Sequence, residues 1–278
     1  MVAPLLVRAQ KKAIKLRMSE KIDVRVGCLN DYIQAILPFQ HKVLTQIHRF
    51  GANWPMLLFR GDKVGCPLVA KISDIVQSNK IKKPITFERE RMAAVKHMLA
   101  YQYSDWDAMA LAQHHEIETR FLDWTSNSLV ALYFGLGRHD EPNCHVWILE
   151  TNERDFEINE SERMPIPKGR SGKTVVFAPS MIDSRILAQD SYMMRQVYGH
   201  DEEGNFKIKP VEDNHKFRGR LHCLSIDFGN AKEKVREELM QYGYSTESIF
   251  PIEVSWDDIR HKCDTLASQY STVKSMAK

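Results

Sequence analysis

Three groups of polar side chains stand at the ends of apolar stretches in this 278-residue chain, where a rigid element can hold a reactive group within reach of solvent. The first is Phe59-Arg60-Gly61. The second is Gln113-His114 with Thr119-Arg120 and Asp123-Trp124-Thr125, and the third runs from Arg185 to Gln189. Guanidinium groups grip phosphate oxygens in bidentate fashion, while amide and hydroxyl side chains pair with sugar hydroxyls. Together these residue types suit an anionic ligand that carries a pyrophosphate and hydroxylated sugars. Each also has an architectural reading: Arg120 and Asp123 as a buried ion pair bracing a turn, and His114 as a satisfied core histidine.

The elements that must position these groups follow from periodicity and punctuation. An amphipathic stretch spans Leu29 to Leu37. A compact apolar run, Pro55 to Phe59, predicts a strand that stops at Arg60-Gly61-Asp62 and leaves the arginine at its mouth. One helix is predicted from about Thr86 to Tyr101. A second runs from a Ser104 cap, with Asp107 three residues on, to about His115. Phe121 to Thr125 reads as a short strand, followed by a polar turn through Ser128 and an apolar helix from Leu129. Further strands are predicted at Cys144–Leu149, Val175–Ala178 and Leu221–Phe228, and helices near Ala231–Tyr242 and Asp257–Tyr270, the last capped by Ser255. Short strands interleaved with helices point to one mixed α+β domain.

Composition narrows the class. Apolar residues make up 43% and charged residues 27%, as in ordinary globular chains, and the net charge is only +3. The distribution is less even. Arg8, Lys11, Lys12, Lys15, Arg17 and Lys21 stand against Glu20, and this basic segment, residues 1–25, reads as a helical lead-in. The expected domain covers 26–270, with charged insertions exposed over one face at about 151–173 and 200–220, and a tail at 271–278. No run approaches the roughly 20 apolar residues of a membrane span, and the start lacks a secretory pattern, so a cytoplasmic chain with no membrane partner is expected. Five cysteines, far apart, offer neither a disulfide framework nor a zinc clasp.

Several apparent motifs fail on spacing. Gly169-Arg-Ser-Gly-Lys-Thr174 has Pro167 where a phosphate loop needs glycine, and it precedes a strand. Asp227-Phe-Gly229 has no kinase catalytic loop upstream. His114-His115-Glu116 is followed by Thr119 where a zinc helix needs histidine, so no metal is expected.

The stretch from Trp106 to Phe134, with Q-H, T-R, L-D-W-T and A-L-Y-F at fixed offsets and F-R-G ahead of it at Phe59–Gly61, resembles the FRG domain. The likeness extends through R-I-L-A-Q near Arg185 to G-Y-S-T-E-S-I-F-P at Gly243–Pro251, or roughly Val26 to Ala267. Glu116 and Glu118 replace the family's usual glycine and proline, and Phe250-Pro-Ile-Glu-Val254 replaces its closing F-P-D-L-D.

The family's order of elements is similar to the ADP-ribosyltransferase fold, which occurs among bacterial toxins and anti-phage effectors. That resemblance implies an enzyme using NAD as substrate, with no metal, to modify RNA, DNA or protein. A neutralising antitoxin protein is the implied partner. The alternative is a non-catalytic FRG module that binds RNA or a partner.

Breaking the nicotinamide–ribose bond passes through an oxocarbenium-like cation, so the pyrophosphate, the ribose and an acceptor must be fixed together. On the resemblance, Arg60 with Gly61 holds the phosphate side and Thr125 orients the ribose or amide. His114 and Arg120 line the cleft, and Asp123 orients Arg120 or Thr125. Gln189 and Glu247 are the two candidates for the late catalytic position. Gln189 is favoured although it is neutral, which leaves the acceptor to be activated by another residue.

Overall fold

In the computed structural model the described residues are 21–50, 56–78, 81–99, 103–137, 141–157, 173–200, 204 and 206–251. They form a mixed α+β fold around one seven-stranded sheet. The strands are β1 (Lys21–Arg25), β2 (Met56–Lys63), β3 (Phe121–Thr125), β4 (Asn143–Thr151), β5 (Val175–Phe177), β6 (Ser191–Arg195) and β9 (Leu221–Asp227). They lie in the order β1-β9-β4-β2-β3-β6-β5. Only β1 and β9 pair in parallel; the other neighbours are antiparallel. β7 (Tyr198–His200) and β8 (Phe206–Ile208) make a separate hairpin.

Helices cover one face. α1 (Leu29–Phe50), α5 (Ser128–Leu136) and α7 (Lys232–Gln241) bury Phe59, Val146, Ile148, Leu224 and Ile226. α3 (Pro84–Met98) and α4 (Asp105–His114) cover the far half through Met92, Trp106 and Met109 against Phe121, Phe177 and Met193. On the opposite face Leu58, Leu122, Trp124, Leu149 and Met194 meet Leu68, Val211 and Phe217 from connecting segments. Because side chains alternate along a strand, these two sets read out the face of every strand position. α2 (Ile72–Ser78), α6 (Ser184–Ala188) and α8 (Thr246–Ile249) are short.

Local chemistry explains the starts of several elements. The Ser104 hydroxyl accepts from the Asp107 N–H, as its spacing predicts, and Asn127 accepts from the N–H groups of Leu129 and Val130 to open α5. The first free donor of α1 is met by Glu238 of α7, at 2.6 Å from the Leu29 nitrogen. Fully buried Tyr32 donates to the Ser128 carbonyl and ties α1 to α5.

The structure corrects several boundaries. β2 does not stop at Phe59 but runs on through Arg60 and Gly61 to Lys63, because β4 pairs with it along its whole length. Lys21–Arg25 is an edge strand of the sheet, so the last residues of the expected lead-in belong to the fold. The insertion expected at 200–220 buries Ile208, Val211 and Phe217, and the one at 151–173 starts at buried Thr151, the last residue of β4, and buries Asp155. Residues 1–20, 158–172 and the expected helix Asp257–Tyr270 lie outside the described residues. Among those described, no helix is long and apolar enough to cross a membrane.

Two buried carboxylates anchor segments to the sheet. Burial raises Glu150, but hydrogen bonds from His222 and Lys42 and the Lys42 charge outweigh it and hold the carboxyl below its ordinary range. Burial likewise raises Asp155, and bonds from Arg220 and the Asn152 N–H, with the Arg220 and Lys216 charges, more than reverse it. Both folded-state values lie below the unfolded ones. The stability they supply is therefore complete above the unfolded carboxylate range and is lost as pH falls through the depressed values. Urea midpoints measured from about pH 7 down to about pH 3 should fall, and Arg220→Met should flatten part of that fall. Midpoints independent of pH across that interval would refute the assignment.

Candidate functional site

The sheet is nearly two sheets. β2 and β3 are joined at the single pair Phe59–Thr125, whereas each is fully paired on its other side. A seam therefore separates the half β1-β9-β4-β2 from the half β3-β6-β5, and its floor lacks the ladder bonds that close the rest of the sheet.

Arg60 sits in that seam. Its Nη1 donates to the Asp123 carbonyl at 2.8 Å and its Nη2 to Asp62 at 3.1 Å, while its buried Nε has no partner. Alternation places Arg60 on the face of Leu58 and Trp124, and Thr125, opposite Phe59, on the helix-covered face. The expected convergence of Arg60 and Thr125 from one face is therefore corrected: their side chains leave opposite faces. The Arg60 guanidinium meets the site only by reaching across to the β3 backbone.

Asp123 is the residue on which the groups meet. Its carbonyl takes Arg60, its Oδ2 accepts from the Gln113 amide at 3.0 Å, and its buried Oδ1 has no partner. The Gln113 amide is itself fixed, since its oxygen accepts from the Thr119 hydroxyl at 2.8 Å, and that hydroxyl oxygen accepts from the Phe121 N–H at 3.0 Å. His114, the last residue of α4, stands in the electrostatic reach of Asp123 with its Nε2 buried and unpartnered. Burial lowers its pKa more strongly than the nearby Asp123 and Asp183 raise it, and Arg185 and His115 add to the lowering. The ring is held neutral around pH 7.

α6 forms the rim. Asp183 caps it, Arg185 donates from Nη1 to the His114 carbonyl at 3.1 Å, and the Arg185 guanidinium lies 5.8 Å from the Phe250 ring centroid. The same helix leads to β6, and Asp190 accepts from the Ser126 N–H and the Asn127 amide, so the rim is tied to the turn after β3.

Other expected site residues are taken up structurally. Arg120 is sealed in the interior, with both Nε and Nη2 on Glu88 and its guanidinium 4.8 Å from the Tyr198 ring centroid; it cannot line a cleft. Gly61 faces the α5 backbone. The Thr125 hydroxyl accepts from the Asn127 N–H and closes a turn. The buried Gln189 amide donates to the Ile249 carbonyl and fastens α8. Glu247 is fully exposed and bonded to the Ser245 hydroxyl, which holds its carboxyl below the ordinary range.

Glu88 was not singled out from the sequence, although it stands four residues from Pro84 and from Met92, the other two buried positions of α3. Arg185 was seen but given no role; its proximity to His114 comes from chain segments 71 residues apart. No group of three or more His, Cys, Asp or Glu among the described residues could hold a metal.

Residues 40–144 match the family model of the FRG domain, which covers α1 from its midpoint, β2, the α3–α5 region and the start of β4. The match includes Arg60, Gly61, His114, Arg120, Asp123 and Thr125 and ends before Gln189 and Glu247. No curated protein and no solved structure matches the chain.

Proposed function

We propose that this chain is an ADP-ribosyltransferase that uses NAD as substrate to modify a macromolecule, RNA or DNA in preference to protein, as a toxin or anti-phage effector. The single observation that supports it is the seam between two half-sheets joined at Phe59–Thr125, with an arginine in it and the Asp123 cluster beside it. On this reading an elongated dinucleotide would lie along that split, between the two half-sheets. Buried polar atoms without a partner stand on both faces of the seam, Arg60 Nε on the one and His114 Nε2 with Asp123 Oδ1 on the other. In this reading Arg60 and Arg185 act on the phosphates from the two sides of β3, and the rim at α6 bounds the sugar.

One observation favours the non-catalytic alternative, an RNA- or partner-binding FRG module. Gln189 has its amide engaged and Glu247 points to solvent, so neither late residue faces the cluster. The two readings separate in one experiment. Full-length chain, checked for folding and freed of any co-purified partner, is incubated with nicotinamide-labelled and adenine-labelled NAD and with total RNA, DNA or protein. Release of nicotinamide with transfer of the adenine label is the expected result, and Arg60→Ala should reduce it at least tenfold through weaker phosphate binding. Tight RNA binding with no nicotinamide release in any arm would overturn the enzyme reading in favour of the module.

A further inference from the structure

We propose that the cavity in the segment between β8 and β9 holds one nucleotide of a single-stranded RNA and is the place where the acceptor docks. The proposal rests on the transferase reading for the role of that RNA. Its binding is a separate property, measured without NAD.

The 200–220 segment carries Lys207, Lys209, Lys216, Arg218 and Arg220, and the fold divides them. Lys216 and Arg220 serve the architecture: both pair with buried Asp155, at 3.2 and 2.5 Å, and both lie over the Phe217 ring. Lys209 and Arg218 stay exposed, with no side-chain partner among the described residues. These two line one cavity of about 370 Å³, together with exposed Asp213 and His215 and an apolar wall of Phe217 and Leu221. Ligand pockets run from about 300 to 1,000 Å³, so the cavity is at the small end of that range and suits a single nucleotide unit.

Each lining group has a match on a ribonucleotide. Arg218 can grip a phosphodiester in bidentate fashion, and Lys209 adds a second charge. The His215 ring and the apolar wall suit an unstacked base. Asp213 would repel a phosphate standing alone, but its carboxylate accepts from a ribose 2′-hydroxyl, which DNA lacks. The walls are fixed from behind. Both Glu212 oxygens accept from the Leu68 N–H, at 3.3 and 3.2 Å, and the Asn214 oxygen accepts from the Lys216 N–H at 3.0 Å. Phe217 and Leu221 belong to the cluster around Leu58 and Trp124, so the cavity lies on the side of the sheet from which Arg60 leaves.

Fluorescence anisotropy of the full chain with a short labelled oligouridine, and with oligodeoxyuridine of the same length, tests this. Lys209→Ala combined with Arg218→Ala should weaken oligouridine binding about tenfold or more at physiological salt. It should also reduce the slope of log K against log salt by about 1.4, the value for two phosphate contacts on a single strand. Asp213→Ala should weaken oligouridine by about threefold or more yet tighten oligodeoxyuridine, and opposite changes exclude a common folding effect. Lys207, also exposed, does not line the cavity, so Lys207→Ala should change oligouridine affinity by less than about twofold. Equal losses from Lys207→Ala and Lys209→Ala would make the attraction diffuse and overturn the site, as would a wild type that binds no oligouridine. Nicotinamide release alongside RNA binding that ignores Lys209 and Arg218 overturns the site and leaves the transferase reading intact. Cavity-dependent RNA binding with no nicotinamide release in any arm would sink the transferase reading while sustaining the site.

Discussion

Gly61→Ala is expected to abolish stable folding. An added methyl would stand 1.7 Å from the Ala131 carbonyl oxygen and 2.5 Å from the Gly135 nitrogen. Both obstacles are backbone of α5, so no rotamer change relieves the overlap, which falls short of normal contact by more than about 1.5 Å. α5 would have to lift from β2. That would open the core among Phe59, Ala131, Leu132, Val146 and Ile148 on that side of the sheet. We expect a loss on the order of 4 kcal/mol or more, a drop in Tm of about 10 °C or a failure to accumulate as soluble protein. Gly199→Ala is the control, because its added methyl would come no closer than 3.6 Å to the Lys207 carbonyl. If Gly61→Ala melted with wild type while losing NAD binding, Gly61 would be a ligand contact and the close packing of α5 would be irrelevant to its identity.

Arg120→Met carries the second large effect. Both partners of the Arg120–Glu88 pair are about 2% exposed, so removing the guanidinium leaves a buried carboxylate whose remaining bond is the Arg120 N–H at 3.2 Å. The cost of such an orphaned charge is about 3–5 kcal/mol. Combining it with Glu88→Gln removes the charge and should restore most of the loss, because a neutral amide can keep the backbone bond. Circular-dichroism melts of the two single variants and the double variant decide the matter. Near-wild-type melting of Arg120→Met with impaired NAD turnover would return Arg120 to the cleft.

How much of the molecule was legible in its sequence differs by element. The Ser104 cap, the strand Phe121–Thr125 and the apolar helix after Asn127 follow from spacing within ten residues, and the structure has all three. β6, β7 and β8 were missed because they are only three to five residues long; β6 takes its pairing from β3, far back in the chain, while β7 and β8 pair with each other in a polar stretch. β1 was hidden in a basic segment, since as an edge strand it alternates charged and apolar residues and reads as a solvated helix. The extent of β2 was misjudged for a related reason. Gly61 looks like a turn residue in one dimension, and only the approach of α5 gives it a reason to lie inside a strand.

The candidate site divides along the same line. Residue types alone were enough to mark Arg60, His114, Asp123, Thr125 and Arg185 as polar groups at the ends of apolar elements, because chemistry is a property of side chains. Which of them face one another was set by strand parity and by burial. A shift of one position along β2 sends Arg60 to the face opposite Thr125, and one glutamate on α3 takes Arg120 into the interior. Such partnerships join positions 32 to 71 residues apart, and they exist only after the chain has closed its sheet, since that closure brings the groups within bonding distance.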